Sequence, residues 1–120
     1  MDGQRKDTTI SFPKIDEELT ITVRVWGISG NHEEATIAKA DAAKSDTATK
    51  EIFSTCEIFF TRSGNDSLIV YAPYSAIYRN TKNSIGRVKL IVRPLSAGRD
   101  IIDYKKNYKA KGLSWISACN

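Results

Sequence analysis

The chain offers few side chains that could carry out catalysis, and its single histidine is His32. A serine or cysteine nucleophile needs a neighbouring base, so a site of that kind would have to use this imidazole. His32 follows Gly30 and Asn31, which favour a turn, and a solvated loop histidine is the simpler interpretation. The P-loop, the GxGxxG turn and the GxSxG nucleophile elbow do not occur in the sequence. The sequence therefore favours a protein that is not an enzyme, with an enzyme as the alternative.

The two cysteines, Cys56 and Cys119, are far apart in the sequence and belong to no CxxC pattern. Together with His32 they do not form a recognisable zinc motif, and we expect no metal and no cofactor. The first ten residues contain no apolar run typical of a signal peptide. We therefore predict an intracellular, cytoplasmic protein with reduced thiols. In an oxidising setting the same two cysteines could instead form a disulfide.

Paired carboxylates, which act as acid and base in glycosidases, are a further catalytic hypothesis. Five of the eleven acidic residues of the first half lie in the runs 16–18 and 33–34, and such charge runs are usually solvated. Asp100 and Asp103 are three residues apart, but the basic residues around them would keep both ionised. A general acid must hold its proton near neutral pH, so this pattern does not favour glycosidase chemistry.

The strongest chemical signal is the concentration of positive charge in the second half. Residues 1–60 carry seven Lys and Arg against eleven Asp and Glu, a net of −4, whereas residues 61–120 carry eleven against three, a net of +8. Cations displace counterions from phosphates and aromatic rings stack on bases, so this half favours a polyanion or single-stranded nucleic acid. The predicted anion-binding residues are Arg87, Lys89, Arg93, Lys105, Lys106 and Lys109. A simpler explanation is that these charges lie on the surface and keep the protein soluble. No RNP, KH or zinc-finger pattern accompanies them.

Length and composition limit the architecture. The chain has 120 residues, of which 41% are hydrophobic and 27% are charged, values that are ordinary for one globular domain. We predict a single domain over residues 1–120, with residues 1–7 disordered. Since no apolar run approaches the roughly 20 residues that a membrane-spanning helix needs, we expect no membrane partner.

Alternating apolar and polar residues predict six strands, and the clearest covers residues 19–26. There Leu19, Ile21 and Val23 alternate with polar residues, as in a half-buried strand. The turn-forming residues 63–66 predict a hairpin, and Val88 and Leu90 are expected to face the core. The predicted strands are 8–12, 19–26, 51–61, 68–71, 85–93 and 113–118.

Two segments favour helices. Residues 33–45 are rich in alanine and begin with two glutamates, which suit a helix N-terminus. Residues 99–111 place Ile101, Tyr104 and Tyr108 on one face, although a continued β meander is the alternative there. The resulting order, β-β-α-β-β-β-α-β, is typical of the α+β class: a mostly antiparallel sheet with two helices packed on one face. An all-β sandwich or barrel is the alternative if both helix predictions fail.

These patterns favour a small binding or interaction module without selecting its ligand. A protein partner, or a second copy of the chain in a homodimer, is the first hypothesis, because an acidic and a basic half can pair across a two-fold axis. Trp26 is the predicted interface residue, since it falls on the more polar side of its strand. Nucleic acid or another polyanion is the alternative partner. Small-ligand binding and an uncharacterised enzymatic activity are the third alternative.

Overall fold

Two β-sheets and one α-helix are present in the described residues of this computed structural model, which are 4–27, 32–40, 50–77 and 83–119. The first sheet has four antiparallel strands in chain order: β1 (Gln4–Phe12), β2 (Glu17–Trp26), β3 (His32–Lys39) and β4 (Lys50–Phe53). The second sheet has five: β5 (Glu57–Ser63), β6 (Ser67–Pro73), β7 (Ser84–Ile85), β8 (Val88–Leu95) and β9 (Ser114–Ser117). Their spatial order is β7-β8-β6-β5-β9, and β6 and β8 pair in parallel. The helix, α1, spans Ala97–Asn107.

One hydrophobic core lies between the two sheets, which face each other as in a sandwich. Leu19 and Ile21 of β2 are buried in this core with Leu68, Val70 and other side chains of the second sheet. Each strand contributes every second side chain, because successive side chains point to opposite faces. The predicted inward face of β2 is therefore confirmed.

The second sheet contains two further features that the sequence indicated. The hairpin predicted around 63–66 is confirmed as the antiparallel pair β5 and β6, with Gly64 in the turn at a φ of 63°. Glycine suits that position because it adopts positive φ without a steric penalty. In β8, Val88 and Leu90 face the core as expected, while Lys89 is exposed on the other face.

The helix predicted over 33–45 is wrong for its described part, because His32–Lys39 form strand β3. Ala35 and Ile37 are buried while Thr36 points to the opposite face, so the apolar period is two. Alanine's preference for helix is weak, and pairing along the whole of β2 outweighs it. The rest of the predicted helix, residues 41–45, lies outside the described residues.

The single strand predicted over 51–61 is instead two strands, β4 and β5, which belong to different sheets. Phe53 and Ile58 are both in the core, although their odd separation would place them on opposite faces of one continuous strand. Residues 54–56 carry the chain across from the first sheet to the second. Apolar residues on both faces of this segment therefore reflect a change of sheet and not one strand covered on both sides.

Strand β1 begins at Gln4, so residues 4–7 are paired with β2 where the sequence predicted disorder. Asp7 stabilises this pairing, because its Oδ1 accepts a hydrogen bond of 2.6 Å from Thr22 Oγ1 and lies 3.4 Å from Arg5 Nη2. A local hydrophobicity pattern does not register such polar cross-strand contacts. Residues 1–3 lie outside the described residues.

The fold confirms the coarser part of the predicted class. It is rich in sheet and mostly antiparallel, but the described residues contain one helix where two were predicted and two open sheets where one was expected. The helix predicted over 99–111 is confirmed over 99–107 as part of α1, while 108–111 form turns. Its Tyr104 packs on Phe59, on the outer face of the second sheet. Within the described ranges, no helix is long and apolar enough to cross a membrane.

Candidate interaction cleft

A cleft of about 900 Å³ runs along one side of the sandwich, between β1 of the first sheet and β5 and β9 of the second. We call it the side cleft; it is lined by residues 6–11 of β1, 60–62 of β5 and 114–116 of β9, with Gly64. Strands β1 and β9 are both at the edges of their sheets. The side cleft therefore lies where the edges of the two sheets come close to each other.

Core side chains reach the surface on the floor of the side cleft. Ile10, Phe60 and Ile116 are 9%, 8% and 8% exposed, whereas Ile21 and Leu68 in the middle of the sandwich are 0% exposed. The three accessible residues come from β1, β5 and β9, the strands that form the cleft. The floor thus includes three slightly exposed side chains of the core, within a lining that consists mostly of polar residues.

The backbone of β1 offers hydrogen-bonding groups along the same cleft. The Ser11 carbonyl accepts a hydrogen bond of 2.7 Å from Arg62 Nη1, so its backbone points away from β2. Since strand residues alternate in the direction of their N–H and C=O groups, those of Thr9 and Asp7 point the same way. Outside the β1–β2 pair, the backbone groups of Asp7 and Thr9 form no hydrogen bond with the backbone of any described residue. The edge therefore presents donors and acceptors at the spacing of a further strand.

A buried carboxylate holds the aromatic residue at the rim of the cleft. Trp115 of β9 donates from Nε1 to Glu57 Oε1 at 3.0 Å, and Lys105 Nζ lies 3.1 Å from Glu57 Oε2. Both carboxylate oxygens of Glu57 are therefore partnered, as a buried charge requires. These contacts connect α1, β5 and β9, and they fix the orientation of the indole beside the cleft.

A disulfide joins Cys56, which precedes β5, to Cys119, which follows β9. Their Cα atoms are 5.3 Å apart, and Ala118 N donates to Cys56 O at 2.9 Å. The expectation of reduced thiols is therefore wrong for this structure. The bond could not be predicted from a local motif, because antiparallel pairing of β5 with β9 is what brings together two cysteines 63 residues apart.

Two of the predicted anion-binding residues are in ion pairs on the outer side of the second sheet. Lys89 Nζ lies 3.9 Å from Asp66 Oδ2, and Lys105 is paired with Glu57 as described above. The Lys89 pair is exposed and therefore weak, whereas the carboxylate of Glu57 is buried. An anionic ligand would have to compete with these carboxylates.

Arg87 lies apart from the outer face of β8, in the turn between β7 and β8. Its Nη1 donates to Ile15 O at 3.1 Å, and its backbone N–H donates to Glu17 Oε2 at 3.4 Å. It therefore joins the second sheet to the turn before β2. A site that combines Arg87 with Lys89 would have to span the edge of the sheet.

Arg93, Lys106 and Lys109 are exposed and form no ion pair with any residue in the described ranges. Arg93 lies on the outer face of β8, and Lys106 and Lys109 are three residues apart at the end of α1. Arg93 and Lys109 have no ion-pair partner among the described residues, whereas the charge of Lys106 helps to lower the pKa of Asp103. For the set as a whole, anion binding stays a prediction.

Trp26 lies half-buried on the outer face of the first sheet. The guanidinium of Arg24 is 4.3 Å from the ring centroid, and the His32 ring stacks beside it at 5.4 Å with an interplanar angle of 17°. The indole thus already packs against its own neighbours. The role of Trp26 as an interface residue stays a prediction.

The residues of the side cleft were missed by sequence reasoning, although one signal was present. Lys6 occupies the same face of β1 as Thr8 and Ile10, which is the face directed toward the second sheet. A charged residue at such a position marks a place that the core does not cover. Arg62 gave no signal, because its contact with Ser11 joins residues 51 positions apart.

Asp103, on the exposed face of α1, is a carboxylate whose pKa is shifted by its neighbours. The pKa of Asp103 is lowered from its ordinary value of 3.8, chiefly because Asn107 Nδ2 donates to Oδ1 at 2.7 Å and next because Lys111 Nζ lies 3.2 Å from Oδ2. A group with a lowered folded-state pKa stabilises the fold above its unfolded-state pKa, and that contribution is lost as pH falls through the folded value.

We therefore expect an NMR titration to show that the Asp103 carboxylate protonates below the pH at which an aspartate in an unfolded peptide does. The variant Asn107→Ala should raise the midpoint, since it removes the largest cause of the shift. Lys109 is in the same segment but donates no hydrogen bond to Asp103, so Lys109→Ala should leave the midpoint unchanged. An unchanged midpoint in Asn107→Ala would contradict this assignment.

Comparisons with protein-family models, with curated proteins and with solved structures found no match to this chain.

Proposed function

We propose that this protein is an interaction module that binds an extended segment of a partner protein along β1, in the side cleft. The observation that carries the proposal is the coincidence of a free strand edge with an accessible part of the core at Ile10, Phe60 and Ile116. Strand addition draws affinity from main-chain hydrogen bonds and specificity from contacts with alternate side chains. The side cleft offers both along the same stretch of β1.

The length of β1 supports it as the site of strand addition. Among the edge strands in the described part of the chain, β1 has nine residues, β4 and β9 have four each and β7 has two. Native proteins tend to keep exposed edge strands short or covered, because a long edge is a template for pairing with another chain. A nine-residue edge beside the side cleft therefore favours a binding role.

The first test uses the variant Thr9→Pro, which we expect to weaken binding of an extended peptide by about tenfold or more. Proline removes the N–H that Thr9 directs to the open edge, and it is tolerated on edge strands because the β1–β2 pairing does not use that group. The probe is a fluorescent nine-residue peptide with valines at alternate central positions and two glutamates at each end. Fluorescence anisotropy measures its affinity.

Thr9→Val is the matched control, because it replaces the same exposed side chain but retains the N–H. Circular dichroism and a thermal melt establish that both variants keep the fold. The proposal requires Thr9→Val to bind like the wild type while Thr9→Pro does not. Equal affinities for the two folded variants would contradict strand addition at β1.

A second copy of the chain is the alternative occupant, as expected for a homodimer. In that case β1 of one molecule would pair with β1 of another, and the same cleft would be covered. Sedimentation equilibrium distinguishes the two, since self-pairing gives a mass that rises with concentration and falls to the monomer value in Thr9→Pro. A constant monomer mass leaves the partner segment as the occupant.

Polyanion binding is the second candidate function, and the exposed, unpaired state of Arg93, Lys106 and Lys109 within the described residues favours it. Single-stranded DNA at low salt is the probe. The variant Lys106→Glu/Lys109→Glu should weaken its binding and reduce the dependence of affinity on salt concentration. Identical binding would remove these two lysines from the proposal.

A cytoplasmic location is also retained as a proposal, and the disulfide gives it a direct test. Disulfides persist in oxidising compartments and are rare in the cytosol. A cytoplasmic protein should therefore contain Cys56 and Cys119 as thiols, with β5 and β9 held by their pairing and by the side-chain contacts of Trp115. Alkylation before lysis followed by mass spectrometry should find both cysteines alkylated, and two unmodified, bonded cysteines would contradict this location.

A further inference from the structure

Two cations lie toward opposite ends of the side cleft. Lys6 is on β1, and Arg62 of β5 reaches β1 at Ser11, whose carbonyl accepts its hydrogen bond. At about 3.3 Å per residue, the five steps from Lys6 to Ser11 span roughly 17 Å along the strand. A strand that pairs with this stretch would pass both positive charges.

The placement of Lys6 is unusual for a sandwich strand. Its cross-strand neighbour Val23 is fully buried, so both side chains are on the face directed toward the second sheet. Lys6 is nevertheless exposed, and it forms no ion pair with any residue that the structure describes. An inward-directed charge on an edge strand opposes indiscriminate pairing with apolar strands. It favours a partner that brings a compensating charge.

The side cleft does not contain that charge itself. Among its lining residues within the described ranges, Asp7 is the one acid. Its carboxylate lies on the opposite face of β1 from Lys6, where it is engaged by Thr22 and Arg5. Arg62 forms no ion pair with a described residue either. Within the part of the chain that the structure describes, the cleft therefore carries two cations without an ion-pair partner, beside the apolar side chains Ile10, Phe60 and Ile116.

We infer that the segment bound in the side cleft is acidic, with a carboxylate toward each end of a stretch that has apolar residues at alternate positions. This inference rests on the proposed function. The apolar side chains cover Ile10, Phe60 and Ile116, and the two carboxylates meet Lys6 and Arg62. Complementary charge of this kind speeds association and discriminates among partners with the same apolar pattern.

The test compares three synthetic peptides that share the alternating valine and threonine centre and differ at their ends. One ends in glutamates, one in glutamines and one in lysines. At low ionic strength the glutamate peptide should bind about tenfold more tightly than the glutamine peptide, and the lysine peptide should bind most weakly. The preference should shrink as salt rises, because exposed charges are screened.

Variants assign the preference to the cleft. Lys6→Gln should reduce the ratio of glutamate-peptide to glutamine-peptide affinity, while Arg99→Gln, which removes an exposed cation of α1 outside the cleft, should leave that ratio unchanged. Arg62→Gln should also reduce it. The ratio is the readout, so a general loss of affinity in a variant does not imitate the expected result.

The outcomes separate the inference from the proposed function. Equal affinity of the glutamate and glutamine peptides, or an unchanged ratio in both Lys6→Gln and Arg62→Gln, would overturn the acidic partner and leave strand addition standing. Failure of all three peptides to bind the wild-type protein would overturn both.

Discussion

The variant Cys56→Ala/Cys119→Ala should lose about 4 kcal/mol of unfolding free energy relative to the oxidised wild type. The disulfide joins residues 63 positions apart, so it closes a loop of more than half of the chain. In the chain-entropy treatment, a cross-link of that span stabilises the native state mainly by restricting the unfolded chain. The remaining links between β5 and β9 include a short ladder, the contact of Glu57 with Trp115 and the stacking of Phe59 on Trp115.

Urea denaturation followed by circular dichroism measures this difference. Reduced wild-type protein should unfold at the same urea concentration as the double variant, and the variant itself should be insensitive to reductant. These two controls separate the effect of the bond from that of the substituted side chains. Superimposable curves for oxidised wild type and variant would contradict a stabilising disulfide.

Phe59→Ala is expected to cost about 3–5 kcal/mol, because it creates a cavity beneath α1. Phe59 is 2% exposed on the outer face of the second sheet. Its ring lies 5.5 Å from that of Tyr104, 6.4 Å from that of Tyr108 and 6.1 Å from that of Trp115, measured between centroids. No other side chain joins the helix and β9 through so many aromatic contacts in the described residues, so its loss should loosen both.

Ile102→Ala is the matched control, since Ile102 is on the same helix but 57% exposed. Its cost should stay within about 0.5 kcal/mol. If Phe59→Ala does not fold, Phe59→Leu supplies a smaller change whose cost should still exceed that of Ile102→Ala. Equal costs for the two sites would show that α1 does not depend on this aromatic cluster.

The elements that could be predicted from sequence are those whose local pattern and tertiary environment agree. In β2, Leu19, Ile21 and Val23 alternate cleanly with polar residues, and the strand lies in the middle of its sheet with one face buried. The helix α1 was identified for the same reason. Its Tyr104 and Tyr108 recur at a helical interval, and one helix face packs on the sheet.

Strand β3 shows why the other helix prediction failed. Alanine at 35 and 38 favours a helix in isolation, yet Ala35 is buried beside Ile37 in a strand that completes the pairing of β2. The local sequence pattern also did not reveal the change of sheet after Phe53. Local periodicity does not show when a chain moves from one layer to the other.

The side cleft and the disulfide depend on residues that are distant in the sequence. Lys6 is 56 residues from Arg62, and Cys56 is 63 residues from Cys119. Their proximity follows from the arrangement of β1, β5 and β9, which no local pattern specifies. The basic residues of the second half could be identified from composition alone, whereas an open strand edge can be identified only from the fold.

Residue-resolved hydrogen exchange along β1 tests strand addition most directly. In the free protein, the amides of Lys6, Thr8 and Ile10 should exchange slowly because they pair with β2, and those of Asp7 and Thr9 should exchange fast. A saturating amount of the glutamate-ended peptide should slow exchange at Asp7 and Thr9 by about tenfold or more. Unchanged exchange at these two amides under saturation would contradict pairing of a partner with β1.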